Sequence, residues 1–218
     1  MKLLGILYTG FLVYDTPPKL LSYSNGKKWL RHNYPKDLIY GNQNTTNINC
    51  EHVIPRFLFK KYNIEKRNQN DLHLLWLSDS RLNSQRQHFK FDLIHNDEPD
   101  VIFLDDFGKK TELQNYQYKL HTSSKRFEPN EIHRGTIARI VGYFYFVHKK
   151  ECSDELLDIH QMIQWNKKYP VTQMEKIRND KIYKIQHNKN IFIDYPFLMS
   201  IYFLYTPKII RTTKIIHD

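Results

Sequence analysis

The sequence predicts an α+β fold, a mostly helical single domain over residues 1–218 with a small sheet. Three observations predict it. Extended backbone is favoured at Val53-Ile54, and a second apolar run of strand length follows over Leu72 to Leu77. Ser78 and Asp79 are helix-capping residues placed directly after that run. Downstream, three helical segments follow, each opened by a start signal and carrying apolar residues for a core.

Bulk properties set the outer bounds. With 218 residues and 40% hydrophobic content, the chain can bury a core, so disorder is not the default. Its formal net charge of +10 suits a phosphate polymer, although membrane surfaces and ribosomes fit that charge as well. Two cysteines, Cys50 and Cys152, cannot build a disulfide framework and belong to no zinc pattern, so two buried thiols are expected. Met1 to Val13 is apolar behind Lys2, but Gly5, Tyr8, Gly10 and Phe11 interrupt it and no small-x-small cleavage site follows. No run approaches the ~20 apolar residues of a membrane span. These features favour an intracellular or virus-associated protein over a secreted one.

Taken in order, Lys19 to Tyr40 reads as one or two short amphipathic helices through Leu20, Leu21, Trp29 and Leu30. Gly41 to Asn49 is a polar loop leading to Glu51-His52, which Val53, Ile54 and Pro55 place at a strand end. A basic connection over Lys60 to Asn70 precedes the second strand. The helix after Asp79 carries Asn83 and Arg86 at i and i+3, on one face. Phe89 to Phe107 is mixed, and its acidic cluster (Asp97, Glu98, Asp100, Asp105, Asp106) reads as a solvated turn.

The next helix runs from Arg134 through Val147, with Ile137, Ile140, Val141 and Phe144 as its core stripe. Ser153 can cap another, carrying Leu156, Leu157, Ile163 and Trp165 up to Tyr169-Pro170. Thr172-Gln173-Met174-Glu175 is a capping box for a third, with Ile177, Lys181 and Ile185 along it. Ile191 to Asp218 alternates aromatics with Lys208, Arg211 and Lys214.

Strand, strand and helix in this order can bring Glu51, His52 and Asn83 to one ion. Glu51 and Asn83 offer hard oxygen ligands suited to Mg²⁺, a cation that keeps several waters. His52, with an ordinary pKa near ~6.5, can take a proton from water where carboxylates are too weak as bases. On its own, a Glu-His pair followed by an Asn is more often the mark of a hydrogen-bonded structural histidine or a surface one.

Longer blocks narrow the choice. Glu51-His52-Val53-Ile54-Pro55, Asp71-Leu72-His73 and Ser78-Asp79-Ser80-Arg81-Leu82-Asn83 with Arg86 occur in that order. They are followed by Phe127-Glu128-Pro129, Arg134-Gly135-Thr136-Ile137-Ala138-Arg139, Trp165-Asn166-Lys167-Lys168-Tyr169-Pro170-Val171, Arg178-Asn179 and Ile185-Gln186-His187-Asn188-Lys189-Asn190. With these blocks the chain resembles the endonuclease I family, periplasmic and secreted bacterial nucleases with the ββα-metal, or His-Me finger, active site. The resemblance covers about residues 40–196 and leaves 197–218 as a C-terminal extension.

It implies His52 as general base, Glu51 and Asn83 as ligands of one Mg²⁺ that Mn²⁺ or Ca²⁺ could replace, and a monomer that binds nucleic acid through its basic surface. It further implies cleavage of DNA, with RNA as a further substrate, without strong sequence preference and leaving 5′-phosphate ends. Arg86 and Arg139 match family arginines, which implies catalytic contact with phosphate, and Glu128 is expected to hold one of them in place. Three positions depart from the pattern: Leu74 stands where Asn or His is usual, Gln87-His88 follows Arg86 where Asn is common, and the connection from Pro55 to Asp71 is short. Two other functions stay open, a nucleic-acid-binding protein that lost catalysis on the same fold and a site-specific homing-type nuclease.

Overall fold

Residues 18–33, 39, 47–149 and 152–205 are described by the computed structural model. The N-terminal apolar stretch, most of the Gly41 to Asn49 loop and the tail beyond residue 205 lie outside them. Among the described residues no helix is long and apolar enough to cross a membrane.

The first described helix, α1 (Tyr23–Asn33), buries Gly26 and Leu30. Strand β1 (Ile48–His52) then pairs antiparallel with β2 (Leu75–Asp79), placing Glu51 opposite Trp76 and His52 opposite Leu75. The Glu-His pair is at a strand end as expected, but the strand runs into it from Ile48. Val53 and Ile54 lie beyond the strand in a buried bend, where the Val53 N–H still reaches the Leu74 carbonyl at 3.2 Å. Pro55 follows, and its missing N–H suits the start of the short helix α2 (Arg56–Lys61). Two 3₁₀ turns, Lys66–Asn70 and Leu72–Leu74, lead into β2.

The Asp79 carboxylate accepts the Arg81 N–H and caps α3 (Ser80–Arg86), which packs on both strands. Gly108 shows how closely the next segment lies against α3. Its φ is +68°, and a Cβ there would sit 2.9 Å from the Leu82 nitrogen, so only glycine fits.

A second sheet was not legible in the sequence. Strands β3 (Lys90–Phe91), β4 (Val101–Leu104), β5 (Tyr118–His121) and β6 (Arg126–Glu128) order as β3-β6-β5-β4, with β3 parallel to β6 and the rest antiparallel. Within the acidic segment, Asp105 does form a turn, accepting the N–H groups of Phe107 and Lys109.

Helix α4 (Glu131–His148) buries residues around most of its circumference, including the expected Ile137, Ile140, Val141 and Phe144. Helix α5 (Ile159–Lys168) is capped by Asp158, not by Ser153, because Leu156 and Leu157 are buried in the segment before it. Both halves of the Thr172–Glu175 capping box open α6 (Gln173–Gln186). Its buried face is Glu175, Arg178, Asn179, Ile182 and Gln186, while Ile177, Lys181 and Ile185 are only half-buried. That face is polar because it meets polar partners: Arg139 of α4 and the backbone around Leu72. Short turns α7 (Ile191–Asp194) and α8 (Leu198–Ser200) and a π turn (Ile201–Tyr205) close the core with Phe192, Met199 and Phe203, so the extension begins as packing. Cys50 and Cys152 are free and buried, as expected.

Behind β2 lies a buried polar cluster centred on Asp71. Its carboxylate accepts from the His73 N–H at 2.9 Å, Gln186 Nε2 at 2.9 Å and the Tyr143 hydroxyl at 2.7 Å. Gln186 in turn accepts the Leu72 N–H, and Asn188 donates to the Tyr143 oxygen. Arg178 donates to the carbonyls of Leu72 and Leu75. Bonds converging on the Asp71 carboxylate from several elements fix its arrangement, so the turn that feeds β2 is held from α4, α6 and the residues after α6.

Candidate active site

Glu51 and His52 are successive residues at the end of β1, and Arg86 from the last turn of α3 joins them. Its Nη1 donates to Glu51 Oε1 at 2.7 Å and to the His52 carbonyl at 3.2 Å, and its Nη2 to the Val53 carbonyl at 2.9 Å. Phe91 of β3 covers the guanidinium, with its ring centre 4.4 Å from Cζ. One arginine thus ties strand, bend and helix together. Since Asn83 precedes Arg86 by three residues, it lies on the face of α3 that Arg86 turns toward Glu51. The Asn83 carboxamide is half-buried and has no hydrogen-bond partner among the described residues.

Burial raises the Glu51 carboxyl pKa, opposed by the Arg86 guanidinium and the His52 backbone N–H. Two groups thus use part of a carboxylate that can accept about four hydrogen bonds. The His52 ring stacks on Tyr23, with centroids 5.4 Å apart and planes at 25°, and the Gln69 backbone beside it favours its protonated form. Its Nε2 is buried without a partner. Burial, helped by the nearby Arg56 charge, pushes the His52 pKa down to about 4. Beside this ring an open cleft of about 380 Å³ is lined by Tyr23, Arg56, Lys66, Arg67, Gln69 and Asn70. A second cleft, about 590 Å³, lies along the outer side of α3 and includes Arg81, Lys109 and Lys110. No carboxylate lines either.

A family model described as Endonuclease I matches residues 16–197, most of the chain. The chain belongs to the endonuclease I family. It is 31% identical over 172 residues to Endonuclease-1 of Buchnera aphidicola subsp. Baizongia pistaciae (strain Bp), covering 70% of this chain and 64% of the relative. Endonuclease-1 of Buchnera aphidicola subsp. Acyrthosiphon pisum (strain APS) is 28% identical over 166 residues, 68% of this chain and 60% of the relative. An extracellular ribonuclease of Bacillus amyloliquefaciens is 28% identical over 144 residues, 58% of this chain and 44% of the relative. The chain therefore spans less than two thirds of the length of these curated relatives.

In this endonuclease I family member both arginines are buried, with donors engaged inside the protein. Arg86 is 1% exposed and spends its Nη donors on Glu51 and two backbone carbonyls. Arg139, also 1% exposed, makes a two-pronged pair with Glu175 at 2.9 and 2.8 Å and donates to Asn166 and the Tyr169 carbonyl. Gly135 makes room for that junction, since a Cβ there would lie 2.5 Å from the Tyr169 oxygen. Glu128 holds neither arginine but binds Arg134 and Lys119. In each case the partner is a buried group that a solvated phosphate could not displace cheaply.

Among the described residues no three His, Cys, Asp or Glu side chains converge on one point, so a cation here would rest on one carboxylate and one carboxamide. That pair fits Mg²⁺: the Glu51 carboxylate keeps lone pairs beyond the one Arg86 uses, and the Asn83 carboxamide has no other partner among the described residues. Leu74, the departure from the family pattern, is buried in the core and offers its carbonyl to Val53. The turn that feeds β2 is supported instead by Asp71, Gln186 and Asn188. Sequence reasoning missed Tyr23 and Gln69, whose polar and aromatic character alone carried no signal.

Proposed function

We propose that this chain is an endonuclease that hydrolyses phosphodiester bonds of DNA, with RNA as a further substrate, using His52 as general base and one Mg²⁺ held by Glu51 and Asn83. The observation that carries the reading is His52 Nε2, a buried ring nitrogen with no protein partner beside a buried carboxylate. Such an atom is costly unless water or a ligand meets it. The relatives' names support the class, two being endonucleases and one a ribonuclease.

When bound, Mg²⁺ would neutralise charge on the scissile phosphate and on the departing 3′ oxygen. The chain's own residues supply the rest. His52 Nε2 takes a proton from the attacking water, and the nearby Gln69 backbone favours the imidazolium that forms. With its pKa pushed to about 4, the ring is neutral at pH 7 and able to accept. An approaching phosphate offsets the Arg56 charge and raises that basicity as the reaction needs it. Arg86 keeps the Glu51 carboxylate aimed, so its part is positioning. The cations of the two clefts give phosphate contacts without sequence information, which suits weak specificity.

Purified protein incubated with supercoiled plasmid and with labelled RNA, each with Mg²⁺ and with EDTA, tests the proposal. Nicking and a smear of products should appear with Mg²⁺ and vanish in EDTA. His52→Ala should slow cleavage by about 10²–10⁴-fold while duplex binding stays within a few fold. Wild-type protein that binds but cleaves nothing with Mg²⁺, Mn²⁺ or Ca²⁺ would sink the enzymatic reading.

A further inference from the structure

We infer that Tyr23 is a positioning residue for His52, holding the imidazole by its face so that turnover, and not substrate affinity, depends on it. The inference rests on the reading of His52 as general base. Tyr23 belongs to α1, outside the two strands and helix that carry Glu51, His52 and Asn83. Its ring nonetheless stacks on the His52 ring at 5.4 Å and 25°.

The other restraints on His52 leave a gap that this ring fills. The Gln69 backbone lies by the ring edge, and Arg86 fixes the backbone through the His52 carbonyl. Neither covers an imidazole face. A neutral backbone contact at the edge of an open cleft competes with water, so alone it leaves the ring free to swing out for part of the time. An aromatic face removes that freedom and keeps bulk water from one side of the ring.

Tyr23 is itself held. Arg56 Cζ lies 4.9 Å from its ring centre, and the Cys50 thiol is near its hydroxyl. Tyr23 is half-buried and packs against the edge of the core, while Gly26 and Leu30 are the α1 residues buried outright, so the variants below must separate packing from positioning.

Steady-state cleavage of a duplex with Mg²⁺ tests this in wild type, Tyr23→Phe, Tyr23→Ala, Tyr23→Leu and His52→Ala, alongside thermal melts and duplex binding in EDTA. Tyr23→Ala should lower kcat roughly tenfold, the scale of a misplaced catalytic group, with KM and EDTA binding within about twofold. Tyr23→Phe keeps the face and should restore kcat to within about twofold of wild type. Tyr23→Leu keeps bulk without an aromatic face and should behave as Tyr23→Ala, carrying the test if the alanine variant melts early. Wild-type kcat in both Tyr23→Ala and Tyr23→Leu, or a loss confined to KM, would overturn the inference. So would a Tyr23→Phe variant as slow as Tyr23→Ala. Failure of the underlying reading looks different, since wild type itself would then not cleave or His52→Ala would cleave normally.

Discussion

Arg86–Glu51 and Arg139–Glu175 are both buried ion pairs, closed at 2.7 and 2.8 Å, yet their surroundings differ. Around Arg139 every nitrogen of the guanidinium has an acceptor, and Glu175 also receives the Thr172 N–H and hydroxyl. Around Arg86, Nε has no partner and the Glu51 carboxylate keeps lone pairs, and in the same strand and helix His52 Nε2 and the Asn83 carboxamide are also unused. Buried polar groups left incomplete cost stability, so a chain keeps them where something else completes them. The saturated pair reads as scaffold and the unsaturated one as site.

The largest effect expected from this contrast is on stability. Arg139→Ala leaves Glu175 buried and unpaired and should cost about 3–5 kcal/mol in denaturant unfolding. Activity per folded molecule should stay near wild type; a variant that folds but does not cleave would return Arg139 to the chemistry.

Glu51→Gln inverts the pattern, because the amide oxygen still accepts from Arg86. Cleavage should fall by at least about a hundredfold with melting changed far less, as for loss of a metal-site group. Isothermal titration with Mg²⁺ would show the same loss without any turnover, and an unchanged titration would remove Glu51 from the ion.

Acid should separate the two regions next. Burial holds His73, on the turn that feeds β2, down at about 4, whereas none of the groups bonded to Arg139 is a histidine. An unfolded histidine titrates near ~6.5, so between that value and about 4 the unfolded chain binds the extra proton. Stability from His73 is therefore complete above pH 6.5 and is lost as pH falls toward 4, at about 1.4 kcal/mol per pH unit within that window. Hydrogen exchange at pH 5 should open the Leu72–Leu77 region before α6 and the Arg139 junction. Simultaneous opening would mean the two are one cooperative unit.

The smallest effect is expected at the cap. Thr172→Ala should lower stability by about 1 kcal/mol and leave cleavage unchanged, which a melt and a plasmid assay read directly.

What the sequence revealed follows from how local each signal is. The Asp79 cap, the Thr172–Glu175 box and the strand end at Glu51-His52 are set by neighbours a few residues apart, and all three are present. Strands of two to four residues in the second sheet are too short to show alternation, so β3 to β6 left no pattern. Asp158 and Ser153 are equally good caps on paper, and only the burial of Leu156 and Leu157 decides between them. The two arginines illustrate the harder case. Their carboxylate partners lie 35 and 36 positions away, so nothing near Arg86 or Arg139 shows that each is already taken. Tyr23 was invisible for the same reason, being tied to His52 by a ring contact between separate elements.

The Asp71 cluster has a consequence for the order in which the protein is made. Glu51, His52 and Asn83 all emerge early, yet Asp71 is held by Tyr143, Gln186 and Asn188, and Arg178 grips the turn beside it. Leu72 and Arg178 are 106 positions apart, so the nascent chain must grow well past Glu51, His52 and Asn83 before the turn that feeds β2 is gripped. On the proposed function, a chain halted before α6 would carry all three residues and none of the α6 grip, and the ribosome that makes it would work beside an unarmed molecule.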